Sequence, residues 1–288
     1  MRRLSQLSEW RAAAEAARAA GRRVGLVPTM GALHEGHASL VREATSRGDV
    51  VFLSVFVNER QFNDAADLAR YPRTPEADAQ MAAALGVDVL LEPSRDVMWP
   101  DGPATATTVS LGALGEVLEG ADRPGHFDGV ASVVSKLFVV SGPCRAYFGE
   151  KDYQQLVGVR QLVRDLGFDV EVIGCPIVRE SDGLALSSRN VRLSSRGRRQ
   201  ARALSAALAA AAETPGPASE LRERMRASLE AAGVHVAYAE VVDPVHLRAL
   251  SDHESGVARA LLAGWVEGVR LIDNAEVRVE GVRGAAGD

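Results

Sequence analysis

Two histidines spaced three residues apart are the first side chains of this sequence whose types and spacing could do chemistry. They are His34 and His37, within the segment Pro28-Thr29-Met30-Gly31-Ala32-Leu33-His34-Glu35-Gly36-His37. At that spacing both imidazoles can face one ligand and donate to phosphate oxygens. Gly31 and Gly36 would let the backbone approach a phosphate, and a helix starting near Gly36 would add free N–H groups and its dipole. We therefore predict a phosphate-binding segment.

The histidine pair has two other interpretations besides phosphate binding. A zinc site fits poorly, because metalloprotease histidines lie four residues apart and no third ligand is in register. A packed, purely structural pair remains an alternative.

Lysine is the second informative residue type, because the chain has so little of it. Of 33 basic residues only Lys136 and Lys151 are lysine, which leaves 31 arginines. A lysine on such a background is a candidate for a position that needs a compact ammonium group, although chance survival is an alternative. Lys136 follows an apolar helical face, where lining a pocket and lying along the surface are both open. Lys151 lies in the segment Gly149-Glu150-Lys151-Asp152-Tyr153-Gln154-Gln155.

The elements that must position these segments alternate between strands and helices. Strands are predicted at 24–27, 50–57, 87–91, 145–148 and 170–173, and helices at 4–20, 36–47, 75–85, 129–140 and 153–166. Such alternation predicts an α/β fold, with a parallel sheet covered on both faces in a Rossmann-like domain. Open sheets of this kind bind ligands at their carboxyl edge, where the histidine segment would lie.

The sequence changes character after about residue 178. Helices are predicted at 195–213 and 220–232, and strands at 234–242, 257–263 and 269–272. We therefore predict two domains, a Rossmann-like domain over 1–177 and a smaller α+β domain over 178–288 that closes over a nucleotide. The last eight residues, GVRGAAGD, are expected to fray.

Composition excludes several classes of function. Hydrophobic residues make up 47% and charged residues 25%, and the net charge of −5 comes without a basic block. This argues against nucleic-acid or membrane-surface binding, and no apolar run is long enough to span a bilayer. The amino terminus lacks the apolar core of a signal peptide, and Cys144 and Cys175 have no metal or redox spacing. We expect a cytoplasmic enzyme.

The His-x-Gly-His segment resembles the nucleotidyltransferase superfamily that includes the class I aminoacyl-tRNA synthetases. Four further segments, in order, make the chain resemble the pantothenate synthetase family: Phe56-Val57-Asn58 with Gln61-Phe62, Arg123 to Val130 (RPGHFDGV), Gly149 to Gln155, and Ser187-Ser188-Arg189-Asn190. The resemblance runs from about residue 20 to 195 and continues more weakly to RLIDN at 270–274.

This resemblance implies a reaction, its substrates and its partners. The family condenses pantoate with β-alanine using ATP, through an enzyme-bound pantoyl adenylate, and releases pyrophosphate and then AMP. Magnesium is expected on the ATP phosphates, with no protein ligand assigned, since Glu76 and Asp78 fit a helix start equally well. A homodimer is implied by the family alone.

The resemblance also implies roles for individual residues. It makes His37 the proton donor, with His34 and Lys151 as further catalytic residues. It assigns pantoate to Gln61 and Gln155, whose amides offer a donor and an acceptor without adding charge, and β-alanine to Gln61. It assigns ATP to Met30, Gly31, Ala32, Leu33, His34, Glu35, Gly36, His37, Gly149, Glu150, Lys151, Asp152, Val178, Leu186, Ser187, Ser188 and Arg189.

Some alternatives remain at this point. Ser187 to Asn190 could clamp phosphates or could simply cap the next helix. Family members commonly have proline after Asn58, whereas Glu59-Arg60 follow it here, which loosens the predicted turn and adds a negative charge. Rival functions are another nucleotidyltransferase acting on a phosphorylated small molecule, which would have no reason to carry GEKDYQQ, and a non-catalytic nucleotide sensor, which would be expected to have lost Lys151 or His37.

Overall fold

The computed structural model describes residues 1–282. The chain divides into two compact units. The first comprises Met1–Glu150 and Gln154–Pro176, and the second comprises Lys151–Tyr153 and the chain from Ile177 onward. The predicted domains, 1–177 and 178–288, stay a prediction.

The first unit is built from strands and helices in alternation. Its strands are β1 (Arg2–Leu4), β2 (Val24–Thr29), β3 (Val50–Val55), β4 (Val89–Leu91), β5 (Cys144–Gly149) and β6 (Val170–Cys175). Its helices are α1 (Leu7–Ala19), α2 (Glu35–Ser46), α3 (Ala65–Arg70), α4 (Pro75–Ala84), α5 (Arg95–Met98), α6 (Glu119–Asp122), α7 (His126–Ser141) and α8 (Tyr153–Leu166, whose first residue is counted with the second unit).

The six strands form one parallel sheet in the order β1-β4-β3-β2-β5-β6. The strand order reverses between β2 and β5, so the carboxyl ends of these two strands flank the crevice where open α/β sheets bind ligands. This arrangement, with the small second sheet described below, confirms the predicted fold class.

Apolar side chains fill both faces of this sheet, as the continuous apolar strands require. On one face, Val41 of α2 and Ala82 of α4 pack with Val27 and Leu53. On the other, Trp10 of α1 is fully buried with its ring edge-on to Phe52 at 4.9 Å. Each such large side chain contributes about 1.5–3 kcal/mol on burial, so the sheet is a rigid platform for the loops at its edges.

The second unit packs two helices on a small antiparallel sheet. The helices are α9 (Ser195–Glu213) and α10 (Ala218–Ala231), and the sheet has the order β7 (His235–Val242), β8 (Gly256–Val266) and β9 (Val269–Val279). Leu204, Leu208 and Leu221 are buried against Val241 and Leu262. The central strand β8 is buried at every residue over 258–264, whereas in β9 buried residues alternate with more exposed ones over 269–273.

Several predicted boundaries are corrected by the structure. Strand β1 is not predicted, because three residues on a sheet edge carry too little periodicity to be recognised, and the helix predicted at 4–20 begins at Leu7. The predicted strand 50–57 ends at Val55, and that at 269–272 continues to Val279. Gly281 and Val282 were expected to fray, yet their N–H groups donate to Ser255 and Asp252. The rest of that predicted frayed end, 283–288, lies outside the described residues.

Candidate active site

The segment that follows β2 makes a tight turn at the carboxyl edge of the sheet. Thr29 donates its hydroxyl to the carbonyl of Ser54 at 2.8 Å and accepts the N–H of Gly31 at 3.2 Å. Gly31 has a φ of +81°, and a Cβ there would lie 2.9 Å from Cγ1 of Val55. Glycine is therefore required at this position, both by its conformation and by the close approach of β3.

His34 and His37 begin α2 and lie side by side. Their ring centroids are 4.1 Å apart. Nδ1 of His34 accepts the N–H of Gly36 at 3.1 Å, and Nδ1 of His37 accepts the N–H of His34 at 3.3 Å. A neutral imidazole that accepts at Nδ1 carries its proton on Nε2. Both rings are thus set to present an Nε2–H donor on the side away from the backbone.

These hydrogen bonds correct one expectation about the start of α2. The sequence predicted free N–H groups there for a phosphate, but the N–H of Gly36 is used by His34, and the N–H groups of His37 and Ala38 reach the His34 carbonyl at 2.8 and 3.0 Å. These three N–H groups are therefore already engaged, and the imidazole groups supply donors for an anion. Glu35 points its carboxylate to Arg42 instead, which lowers the pKa of Glu35.

Gln61 lies in a 3₁₀ helix, Glu59–Gln61, that follows β3. Its side chain is buried, 7% exposed, and contacts the histidine segment through Nε2 and the Met30 sulfur, 3.0 Å apart. Asn58 donates Nδ2 both to Oε1 of Gln61 at 3.1 Å and to the carbonyl of Gly129 at 3.0 Å. These contacts fix both ends of the Gln61 amide beside the predicted phosphate-binding segment.

Arg123 and His126 hold the backbone of Gln61. His126 Nδ1 lies 2.8 Å from the Gln61 carbonyl oxygen, and Arg123 donates to the same oxygen at 3.2 Å. Arg123 also lies 3.2 Å from Nε2 of His126. A guanidinium only donates, so His126 accepts at Nε2 and donates from Nδ1. A Cβ on Gly129 would lie 2.3 Å from the Arg60 carbonyl, so glycine permits this close packing of α7.

Neighbouring residues bind both Glu59 and Arg60, the two residues that depart from the family pattern. Glu59 accepts from Arg95 at 2.6 Å, so its negative charge is paired. Arg60 donates to the carbonyl of Thr107 at 3.0 Å and lies over the Trp99 ring. These contacts hold the turn in the absence of proline.

The two glutamines at 154 and 155 have different surroundings. Gln154 is buried, and its side-chain amide binds backbone groups at and before the start of α6. It accepts the N–H of Glu119 and donates to the carbonyls of Leu114 and Val117. Gln155 is half-buried, and its side chain makes no hydrogen bond within residues 1–282. Of these two amides, that of Gln155 is therefore the one left for a ligand, and its assignment to pantoate stays a prediction.

Gly149 ends β5 at the sheet edge, and a 3₁₀ helix, Glu150–Asp152, follows it. Lys151, counted with the second unit, has its Nζ 3.7 Å from a carboxylate oxygen of Asp152. Its carbonyl accepts Nδ2 of the buried Asn274 at 2.9 Å, and Asn274 accepts Nε of Arg259 at 2.8 Å. The Arg259 guanidinium lies 4.1 Å from the Tyr153 ring centroid. The RLIDN segment thus holds the backbone of Lys151.

Residues 178–190 form a short hairpin in the second unit. The N–H of Leu186 donates to the carbonyl of Val178 at 3.0 Å, and the N–H of Arg189 donates to Oγ of Ser187 at 3.3 Å. Asn190 is buried and donates to Glu180 and to the Ala185 carbonyl. The N-cap of α9 is Ser194, so Ser187 to Asn190 do not cap that helix.

The other lysine and the two cysteines lie in buried or partly buried surroundings. Lys136 donates to the carbonyl of Met98 at the end of α5 and lies 5.0 Å from the Trp99 ring, and burial lowers its pKa. Burial raises the pKa of Cys144 to about 12 and that of Cys175 to about 11.

The described part of the chain contains neither a cluster of metal-ligating side chains nor a helix that could span a membrane. Within residues 1–282 no group of three or more histidine, cysteine, aspartate or glutamate side chains is placed to hold a metal ion. Over the same range no helix has the length and apolar character needed to cross a bilayer.

Sequence reasoning missed the residues that support the candidate site. Arg123, His126 and Asn58 lie within the motifs that carry the family resemblance, and Asn274 lies in the weakly matching RLIDN segment, but their supporting role is not predicted by the sequence. The sequence shows only that these polar residues lie inside the motifs. It does not indicate which backbone groups they contact.

Comparison with known proteins places the chain in a family. A model of the family described as pantoate-beta-alanine ligase matches residues 2–276. A curated pantothenate synthetase from Ruegeria pomeroyi is 48% identical over 278 residues, which cover 95% of this chain and 96% of that protein.

Two solved structures agree with this relationship. Pantothenate synthetase from Thermus thermophilus superimposes with a TM-score of 0.88 at 47% identity, covering 96% of this chain and 99% of that one. Pantoate-beta-alanine ligase from Francisella tularensis, solved as a complex with beta-gamma ATP and beta-alanine, has a TM-score of 0.79 at 35% identity and covers 96% of this chain and 97% of its own. On these matches, the chain belongs to the pantoate–β-alanine ligase family.

Proposed function

We propose that this pantoate–β-alanine ligase activates pantoate as an enzyme-bound pantoyl adenylate before β-alanine enters the reaction. Joining the two substrates with ATP is the activity of the family, and the relative from Francisella tularensis was solved with an ATP compound and β-alanine. The order of the two half-reactions is our proposal.

The observation that carries the proposal is the state of the two histidines. Nδ1 of each ring accepts a backbone N–H, so each presents Nε2–H at the carboxyl edge of β2. Two neutral donors side by side suit the oxygens of a polyphosphate, and they suit a leaving pyrophosphate better than a nucleophile.

The first half-reaction needs donors at phosphate because two anions must meet. A pantoate carboxylate oxygen attacks the α-phosphorus of ATP, the bond from that phosphorus to the β-bridging oxygen breaks, and pyrophosphate leaves. Donors arranged in advance for the developing charge lower this barrier. We assign His37 as the proton donor, with His34 and Lys151.

We assign the ATP contacts to Met30–His37 and Gly149–Glu150 in the first unit, and to Lys151, Asp152, Val178 and Leu186–Arg189 in the second. Pantoate is assigned to Gln61 and Gln155. The buried Gln61 amide beside Met30 supports this assignment, as does the Gln155 amide, which has no hydrogen-bond partner within residues 1–282.

The second half-reaction is an acyl transfer. The amine of β-alanine attacks the adenylate carbonyl, the bond from the acyl carbon to the phosphate-bound oxygen breaks, AMP leaves with that oxygen, and the amine loses a proton. Correct placement of the amine against the carbonyl contributes up to ~7–11 kcal/mol in such reactions. Gln61 is assigned to both acyl group and amine.

We propose that magnesium arrives on the ATP phosphates, where it neutralises charge and keeps several of its waters, and we assign it no protein ligand. A homodimer in the cytoplasm also stays a prediction, testable by sedimentation and fractionation.

Pyrophosphate exchange tests the proposal. The purified protein, incubated with ATP, labelled pyrophosphate and pantoate, is expected to move label into ATP without β-alanine. Other small hydroxy acids serve as controls and should support little exchange. Exchange supported equally well by β-alanine alone would contradict the proposed order.

A further inference from the structure

The turn after β2 holds two consecutive residues in the left-handed region. Gly31 has a φ of +81° and Ala32 a φ of +49°. Glycine tolerates this conformation, but alanine is strained there, and such strain persists only where surrounding contacts impose it. Some other part of the chain must therefore hold the Ala32 backbone in place.

Asp78 of α4 makes the contacts that do so. Its Oδ2 accepts the N–H of Ala32 at 2.9 Å, and its Oδ1 accepts the N–H of Leu33 at 2.7 Å. The residue is only 3% exposed. Hydrogen bonds from backbone N–H groups to a carboxylate are the strong, charge-assisted kind, and burial strengthens them further.

The start of α4 orients this carboxylate. Thr74 is the N-cap of the helix but does not cap with its side chain; its hydroxyl donates to Oδ1 of Asp78 at 3.1 Å. A Cβ on Gly31 would lie 2.9 Å from Oδ2 of Asp78, so the turn and the carboxylate fit closely together. Both carboxylate oxygens are engaged, and this leaves Asp78 poorly suited to bind a metal.

We propose that Asp78 is a positioning residue for ATP: it fixes the Ala32–Leu33 backbone so that the histidines that follow present their Nε2–H groups to the phosphates. The inference rests on the proposed function of that segment. It gives the two N–H groups an internal partner, where the sequence alone suggested that this backbone would itself approach a phosphate.

The test compares Asp78→Asn with Glu76→Gln. Asparagine keeps the size of aspartate but has one oxygen, so its NH₂ group must face one of the two backbone N–H groups. Glu76 lies on the same helix, is exposed, and loses the same charge, which makes it a matched control. We expect Asp78→Asn to raise the KM for ATP by roughly 10-fold or more, the scale of one lost charge-assisted hydrogen bond. Glu76→Gln should resemble wild type.

Three further readouts separate positioning from a general loss of structure. The KM for pantoate and the rate of β-alanine attack on supplied pantoyl adenylate should change less than two-fold in Asp78→Asn. Adding Ala32→Gly should recover part of the ATP affinity, because glycine adopts the turn without strain. Should Asp78→Asn fold poorly, Thr74→Val removes one donor to the carboxylate and should raise the ATP KM by a smaller factor.

The inference is overturned if Asp78→Asn has a normal KM for ATP, loses both half-reactions equally, or is restored by excess magnesium, which would make Asp78 a metal ligand. Failure of the proposed function looks different: the wild-type protein would then show no pantoate-dependent pyrophosphate exchange at all.

Discussion

At the scale of single residues, one hydrogen bond to each ring decides what His34 and His37 can do. The spacing in the sequence predicts that the two rings can face one ligand, and the structure places their centroids 4.1 Å apart. It could not predict the tautomers, because these depend on which backbone N–H groups reach Nδ1 after the turn has formed. The same limit applies to Gln154 and Gln155, because only the folded structure shows that the Gln154 amide is hydrogen-bonded to a loop.

The first prediction at this scale divides the two half-reactions between His37 and Gln61. His37→Ala should depress adenylate formation strongly, yet lose less in the attack of β-alanine on preformed pantoyl adenylate, since phosphate donors matter in the first step. Gln61→Ala should harm both steps, because its amide is assigned to the acyl group throughout. Single-turnover measurements of each step decide this, and equal proportional losses in both variants would refute the division.

A second residue-scale prediction concerns Lys151. Lys151→Ala should slow adenylate formation by roughly 10²–10³, the scale for losing one preorganised donor to the transition state. Lys151→Arg should stay impaired, because a guanidinium fork is larger and spreads its charge.

Arg160→Ala is the control for Lys151, since it removes an exposed positive charge farther along α8 and should leave the rate unchanged. Wild-type activity in Lys151→Arg would mean that this lysine persists by chance.

At the scale of elements, the long segments were predictable and the short ones were not. The helix at 195–213 matches its predicted bounds, since its apolar period runs over about five turns. The 3₁₀ helix Glu59–Gln61 is too short to show a periodic pattern in the sequence. Its conformation depends on α7, which contributes His126 and packs closely at Gly129, and on Arg123, which precedes α7.

Because the 3₁₀ helix depends on α7, we expect two substitutions of His126 to raise the KM for pantoate to different extents. His126→Ala removes the donor to the Gln61 carbonyl and should raise the KM for pantoate by about 10-fold, the effect of one lost hydrogen bond. His126→Asn should recover much of this, because its amide nitrogen can occupy the place of Nδ1. Steady-state kinetics with a melting curve for each variant check it. Equal loss in both variants would indicate that His126 acts by bulk alone.

At the scale of the whole molecule, the first unit is interrupted in sequence by three residues, Lys151–Tyr153, that belong to the second unit. Nothing in the strand and helix pattern predicted this exchange, because it depends on Asn274 and Arg259, which are more than one hundred residues away in sequence. The alternation of strands and helices did predict the parallel sheet, since each strand needed a helix to cross back.

One arginine makes a contribution to the stability of the second unit that depends on pH. Arg198 of α9 binds Glu180 at 2.5 Å and Asp182 at 2.8 Å, and these hydrogen bonds lower the pKa of both carboxyls. A carboxyl with a lowered folded pKa stabilises the fold above its unfolded pKa, about 4 for these residues, and loses that contribution as pH falls through the folded value.

Arg198→Ala should therefore lower the melting temperature at pH 7, and the difference from wild type should shrink towards pH 3. Thermal melts over that pH range measure it. Arg199→Ala, an exposed arginine on the same helix with no ion pair in the described chain, is the matched control. A difference from wild type that is constant with pH would show that these ion pairs are not responsible.

The central claim is that pantoate is activated by attack on the α-phosphorus of ATP, and oxygen transfer tests it most directly. Pantoate labelled with ¹⁸O in both carboxylate oxygens is turned over with ATP and β-alanine, and the nucleotide and phosphate products are analysed by mass spectrometry. The account predicts one ¹⁸O in AMP and none in pyrophosphate, because the attacking oxygen stays on the α-phosphorus when the acyl bond breaks. Label in inorganic phosphate, with ADP as the nucleotide product, would show attack on the γ-phosphorus and contradict the account.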